Sequence, residues 1–128
     1  MKRFGFIGLG NMGGAIARGL VSGGAFALHG FDPNEGMCRR SADIMTIHPT
    51  ARDLVENSDY VLLAVKPQIM RPVLADLAPA LGPETCLVSI AAGITLSQLV
   101  EWSGRNCPVV RVMPNTPAMV GKGVYALC

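Results

Sequence analysis

Charge is scarce in this chain: Asp, Glu, Lys and Arg supply 16% of its 128 residues, against about a quarter in an ordinary globular domain. Aromatic residues are scarcer still, at 5%. With a net charge of +2 and no basic cluster longer than Arg39-Arg40, a nucleic-acid surface is excluded. No apolar run approaches the roughly 18 residues of a membrane span, so no membrane partner is expected. The four cysteines, Cys38, Cys86, Cys107 and Cys128, form no CxxC or Cys/His spacing. They read as ordinary thiols, with no metal and no disulfide framework. Gly5, Gly8, Gly10 and Asn11 interrupt the apolar run behind Lys2-Arg3, and Arg18 follows without a small-residue cleavage site. That is a poor signal peptide, and the expected compartment is the cytoplasm.

What the chain does have is apolar material and glycine: half of its residues are hydrophobic and 15 are glycine. Residues 1–128 are long enough for one domain. The apolar surplus predicts a face buried against another domain or subunit. The glycines concentrate in Phe4-Gly-Phe-Ile-Gly-Leu-Gly-Asn-Met-Gly13, where a short apolar segment runs into Gly8-x-Gly10-x-x-Gly13 and then a small-residue helix. In a strand–turn–helix unit Gly8 permits the turn, Gly10 lets a pyrophosphate approach the backbone, and Gly13 lets helix and strand pack closely. The bland alternative is a close-packed turn with no ligand.

The rest of the chain gives that turn its context. Short apolar strands are expected at 3–7, 27–31, 44–47, 59–65, 85–91 and 109–112, with another beginning at 123–128. Helices are expected at 11–21, 35–43, 51–57, 68–77 and from a Thr95 cap to Trp102. Met12, Ala15, Ile16 and Leu20 should face the sheet from the first helix, Met37, Cys38 and Ala42 from the second. In the later helices Ile69, Val73, Leu74 and Leu77, then Leu96, Leu99 and Val100, form the apolar stripes. Strands alternating with helices make a Rossmann-type, doubly wound, mainly parallel sheet in three αβα layers. Ligands of such sheets sit beyond the carboxyl ends of the strands. The unusual tracts all fall there: Gly8 to Gly13, Asp32-Pro33-Asn34, Ala64-Val65-Lys66-Pro67-Gln68, Ala91-Ala92-Gly93 and Met113-Pro114-Asn115-Thr116-Pro117.

These tracts suit a dinucleotide. The backbone N–H groups of Asn11 and Met12, opening a helix, are the expected pyrophosphate donors. Asp32 lies 19 residues after Gly13, where a carboxylate accepts ribose hydroxyls. A 2′-phosphate would be repelled there by about 1 kcal/mol per charge pair in water, rising to about 4 at an effective dielectric near 20. Arg39 and Arg40 could offset this or simply be a solvated face, so NAD against NADP stays open. Lys66 is either a ligand contact or a rim charge. Pro67 turns the chain so that the backbone of residues 64–66 faces the cofactor. Asn115 could bind a carboxamide or carboxylate, or satisfy its own turn. His29 and His48 have no sequence partner and read as structural, and no catalytic acid–base set is visible.

GFIGLGNMGGAIARGL, then D-x-V-L-L-A-V-K-P-Q, VSIAAGITL and RVMPNTPAMVGKG, resemble the pyrroline-5-carboxylate reductase family over almost the whole chain. The first tract alone also fits 3-hydroxyacid dehydrogenases of the 3-hydroxyisobutyrate or 6-phosphogluconate type; the later tracts, in this order, decide. The resemblance implies an NADPH- or NADH-dependent oxidoreductase of proline biosynthesis. Such an enzyme reduces the C=N bond of 1-pyrroline-5-carboxylate to L-proline and works as a homodimer or higher homo-oligomer. It places the dinucleotide along Gly8, Gly10, Asn11, Met12, Gly13, Asp32, Ala64, Val65, Lys66, Pro67, Ala92 and Gly93. Met113, Pro114, Asn115 and Thr116 would lie near the substrate.

Two departures qualify it. Members often carry Asn where this chain has Ala51, near the adenosine. The family's helical half, which forms the dimer and surrounds the substrate, is missing, so an N-terminal or truncated piece, inactive alone, is expected. The alternatives are a 3-hydroxyacid or deazaflavin-type oxidoreductase domain and a non-catalytic dinucleotide-sensing module.

Overall fold

The computed structural model describes residues 2–91, 93–104 and 107–112. In chain order the elements are β1 (Lys2–Ile7), α1 (Asn11–Gly23), β2 (Phe26–Phe31), α2 (Glu35–Ser41), β3 (Thr46–Ile47) and α3 (Ala51–Glu56). Then follow β4 (Tyr60–Leu63), α4 (Pro67–Leu77) with a 3-10 turn at Ala78–Ala80, β5 (Cys86–Ser89), α5 (Leu96–Trp102) and β6 (Val109–Arg111). The strands form one six-stranded sheet in the order β3-β2-β1-β4-β5-β6, and every pairing is parallel. The chain therefore starts at the centre, winds outward through β2 and β3, crosses back, and winds the other way. Between β1 and β4 the order reverses, and there the loops part to leave a crevice.

Alternation along the central strands builds the three layers. Val61 and Leu63 pack with Leu54, Met70, Leu74, Leu77 and Leu99 in one core. Leu62 points the other way, into a core with Phe4, Phe6, Ile16, Ala17 and Leu28. Val61, Leu62 and Leu63 are all fully buried, as a central parallel strand requires. The expected doubly wound αβα fold is the one found.

Local chemistry sets the helix ends. Thr50 Oγ1 accepts the Asp53 N–H at 3.1 Å, capping α3 as its position suggests. Thr95 and Gln98 form a reciprocal capping box on α5. Gly24, at φ +67°, closes α1 in the left-handed conformation.

Several expectations change. The inner face of α1 is Gly13, Ile16 and Ala17, while Met12 and Ala15 are exposed. Gly13 and Ala17 are four residues apart, and their small side chains let the helix sit close on the sheet. Ala42 lies beyond the end of α2 and is exposed; Ser41 is the buried residue there. Met70 replaces Ile69 in the core of α4. Ile69 and Leu96 are 44% and 48% exposed. Met12, Ile69 and Leu96 all lie at helix starts on the ligand rim, where the sheet no longer covers an apolar side chain. Strands β4 and β5 stop at Leu63 and Ser89, short of the expected 65 and 91. Pro72 lies in the second turn of α4, with Pro67 at its first position. The expected strand at 123–128 lies outside the described residues. Among the described residues no helix is long and apolar enough to cross a membrane.

Candidate functional site

The β1–α1 turn is built by three glycines with different duties. Gly8 has φ +100°, and a Cβ there would sit 2.5 Å from the Ala64 carbonyl oxygen. Its N–H donates to the Phe31 carbonyl at 3.0 Å, tying the turn to the end of β2. A Cβ on Gly13 would collide with the Gly8 carbonyl oxygen, so α1 lies against the turn only because this residue has no side chain. Gly10 is different: a Cβ there meets nothing within 4 Å. The space above it is open. Gly10 also caps α1 without a side-chain hydrogen bond, and the first turn carries no acidic residue. Such a helix start offers its N–H groups and partial positive charge to an anion.

Gly8 and Gly10 open onto a cleft of about 560 Å³ at the reversal of strand order, within the usual range for small-molecule sites. Asp32, Pro33, Thr50 and Ala51 line one part of it; Val65, Lys66, Ile69 and Val73 line another. A second cavity of about 310 Å³ lies beyond residues 64–65, among Met12, Ala64, Val65, Pro67, Ile90 and Ala91. Ala64 and Val65 line both cavities. They have left the β4 ladder, although the Ala64 N–H still donates to the Ile7 carbonyl at 2.8 Å.

Asp32 has more to do than its position suggests. Its Oδ2 accepts the Leu9 N–H at 2.8 Å and its Oδ1 the Asn34 N–H at 2.8 Å. The carboxylate thus clamps the glycine turn to the β2–α2 turn. A carboxylate has about four acceptor sites, so lone pairs remain for ribose hydroxyls. Lys66 is exposed, precedes α4 and lines the large cleft. Among the described residues it makes no ion pair. Pro67 fixes the start of the helix behind it.

The structure brings Gly8, Gly10, Asp32, Ala64, Val65 and Lys66 to one cleft, and Met12 and Pro67 to the adjoining cavity. Gly13 supports from behind, and Asn11 begins α1. Gly93 takes φ +82° in the turn after β5 but is not among the residues lining either cavity. Ala92, Met113, Pro114, Asn115 and Thr116 lie outside the described residues. Sequence reasoning missed Ile69, Val73 and Ile90 as lining. Ile69 carried a signal, being apolar where the inward helical face was already filled by Met70 and Leu74.

The two histidines do find a partner, in each other. His29 Nδ1 and His48 Nε2 are 2.8 Å apart, with the rings stacked at 5.1 Å. Burial, then the charge of His48, pushes the His29 pKa down. They clip β2 to the segment after β3 and lie outside the cleft lining. Away from the rim, Asp59 accepts the Arg3 backbone N–H at 2.8 Å and the guanidinium at 3.1 Å. Those bonds, the side-chain one foremost, hold the Asp59 carboxyl down to about 2.

Residues 3–93 match the family described as NADP oxidoreductase coenzyme F420-dependent. The chain belongs to this family. Among curated relatives, the pyrroline-5-carboxylate reductase of Pseudomonas aeruginosa is 42% identical over 98% of this chain, a match covering 47% of that protein. The solved pyrroline-5-carboxylate reductase of Coxiella burnetii superposes with a TM-score of 0.84 at 29% identity, covering 93% of this chain and 46% of that one. Plasmodium falciparum pyrroline carboxylate reductase, solved with NADP bound, gives 0.81 at 32% identity, covering 94% and 45%. The resemblance carried by the sequence tracts is thus borne out. The chain spans about half the length of the curated relatives it matches.

Proposed function

We propose that this chain holds the nicotinamide dinucleotide of a pyrroline-5-carboxylate reductase, the oxidoreductase that converts 1-pyrroline-5-carboxylate to L-proline. The observation that carries the reading is the rim itself. A glycine turn with open space over Gly10 faces a cleft that shares the Ala64–Val65 wall with a second, largely apolar cavity. That is the shape of a two-ended ligand with a charged middle. The pyrophosphate would cross Gly10 toward the Asn11 and Met12 N–H groups, and Gly8 and Gly13 fit it by leaving the crossing clear. The adenosine would occupy the large cleft, with its ribose at Asp32. The nicotinamide end would reach the cavity of Met12, Val65 and Ile90, whose side chains give it an apolar wall.

When bound, the reduced nicotinamide supplies a hydride to the carbon of the C=N bond, made more electrophilic by protonation. This chain's part is alignment, the larger share of such a reaction once a strong acceptor is in place. Met113, Pro114, Asn115 and Thr116 are the residues we assign near the substrate, and Ala92 and Gly93 near the nicotinamide. The dimer, the remaining substrate contacts and the proton donor are assigned to the further length that the relatives possess. The family description supports a second reading, an NADP oxidoreductase linked to a deazaflavin.

Calorimetric titration with NADP(H) and NAD(H) tests the cofactor role; no heat with any of them sinks it. Assaying the full-length gene product with 1-pyrroline-5-carboxylate, hydroxyacids and a reduced deazaflavin tests the reaction. Turnover of the deazaflavin alone would replace the first reading by the second.

A further inference from the structure

One part of the large cleft is walled by two segments, and each follows a histidine. Phe31, Asp32 and Pro33 begin two residues after His29; Pro49, Thr50 and Ala51 follow His48 directly. Little else ties the two walls together. Strand β3 is two residues long and pairs with β2 only at Thr46 and Ile47. Beyond that ladder the His48 N–H donates to the Gly30 carbonyl at 2.9 Å, and the facing ring nitrogens, His29 Nδ1 and His48 Nε2, meet at 2.8 Å. The histidine pair therefore supplies a large share of what sets the separation of the walls.

That contact depends on protons. One facing nitrogen must carry a hydrogen and the other a free lone pair, which holds for two neutral rings or for one neutral and one charged. With both rings charged, both nitrogens carry hydrogens, the bond is lost and like charges face each other. Both rings are half-buried, so water reaches them. Arg3 of β1 and Asp59 before β4 also act on His29, but they are bonded to each other at 3.1 Å and their fields oppose. Helix α3 packs against β2 with Leu54 and Val55 buried, and none of its charged residues, Arg52, Asp53 and Glu56, is buried. These are the chain's two histidines, and histidine is the side chain whose ordinary titration falls between about pH 5 and 8. We propose that His29 and His48 are positioning residues for the adenosine half of the dinucleotide: with at most one proton between their facing nitrogens they hold the two walls at binding separation, and a second proton parts the walls and weakens binding. This rests on the dinucleotide reading above and adds to it a dependence on pH.

The test is calorimetric titration of the protein with NAD+ and with NADP+ at about pH 7.5, 6.5 and 5.5, with far-UV circular dichroism checking the fold at each pH. A 2′-phosphate itself titrates near about pH 6, so each variant is compared with the unaltered protein at the same pH, where the ligand's own titration cancels. Affinity of the unaltered protein for NAD+ should fall roughly threefold to tenfold from the highest pH to the lowest, as expected when one proton must be excluded. His29→Gln and His48→Gln keep a hydrogen-bonding side chain but cannot charge. Each should bind a few-fold more weakly at the highest pH and change less than about twofold across the range. A level profile in the unaltered protein, or the same fall in both variants, would overturn the assignment while leaving the dinucleotide site intact. So would an acid loss of folding stability with no loss of affinity, the mark of a purely structural pair. Binding of neither dinucleotide at the highest pH would overturn both readings.

Discussion

The two ends of the sheet are finished in opposite ways. At the end where β1 and β4 begin, charge is matched: Asp59 meets Arg3 through backbone and side chain, and Phe4 stacks on Tyr60 at 5.7 Å. At the other end the chain leaves things open. Met12 and Ile69 are 40% and 44% exposed, Gly10 faces empty space, and the Arg40 guanidinium touches a thioether. One end satisfies itself. The other is shaped for something to be added, and incomplete interactions on a common rim locate a site better than any single motif does.

Substitutions can sharpen that contrast. Leu74→Ala, in the fully buried core of α4, should cost about 2–5 kcal/mol of unfolding free energy, read by urea denaturation. Its effect on dinucleotide affinity should be small if the fold survives. Gly10→Val should do the reverse. Nothing surrounds its Cβ, so the melting temperature should hardly move, while dinucleotide affinity in a calorimeter falls roughly a hundredfold or more. A large stability loss with unchanged affinity would erase the distinction between the two ends. Ile69→Ala, one turn above the core, should leave stability within about 0.5 kcal/mol. It should weaken binding only a few-fold, by removing part of the cleft wall.

A modest effect concerns pH. Asp59 titrates at about 2 in the folded protein against an ordinary 3.8. Its contribution is therefore complete above pH 3.8 and fades as pH falls toward 2. The pair is partly exposed, 43% and 28%, so after solvent screening we expect about 1 kcal/mol. His29, also depressed, acts in the same direction: the stability tied to its neutral form is lost as pH falls below its ordinary 6.5. Asp59→Asn should flatten the acid limb of a stability–pH curve, and His29→Gln the limb beginning near neutrality. An unchanged curve in either variant would show that the pair contributes nothing.

Much of this was legible in the sequence because it is local. Short apolar runs and helical periodicity located the six strands and five helices of the described residues, Thr50 and Thr95 announced their caps, and three glycines announced the turn. What was not legible depends on contacts between distant segments. His48 meets His29 because parallel pairing sets His29 against Thr46 and Gly30 against Ile47, a register that no local pattern encodes. Asp32 is engaged by Leu9, 23 residues earlier. Met12 was placed in the core because it is apolar; the helix instead presents Gly13, since close contact with the sheet selects for smallness. The strand ends were overextended because apolar residues continue past the last ladder bond into the cleft wall.

Gly10 has a consequence for the protein's economy of stability. Its backbone, φ −72° and ψ −162°, is one that any L-amino acid adopts, and no neighbour crowds it. Folding alone would do at least as well with serine, asparagine or aspartate at this helix cap, since each adds a side-chain acceptor for the first-turn N–H groups and leaves the unfolded chain less freedom to lose than glycine does. The chain thus gives up conformational entropy at a place where its own architecture gains nothing in return, and the benefit falls to whatever passes over that residue.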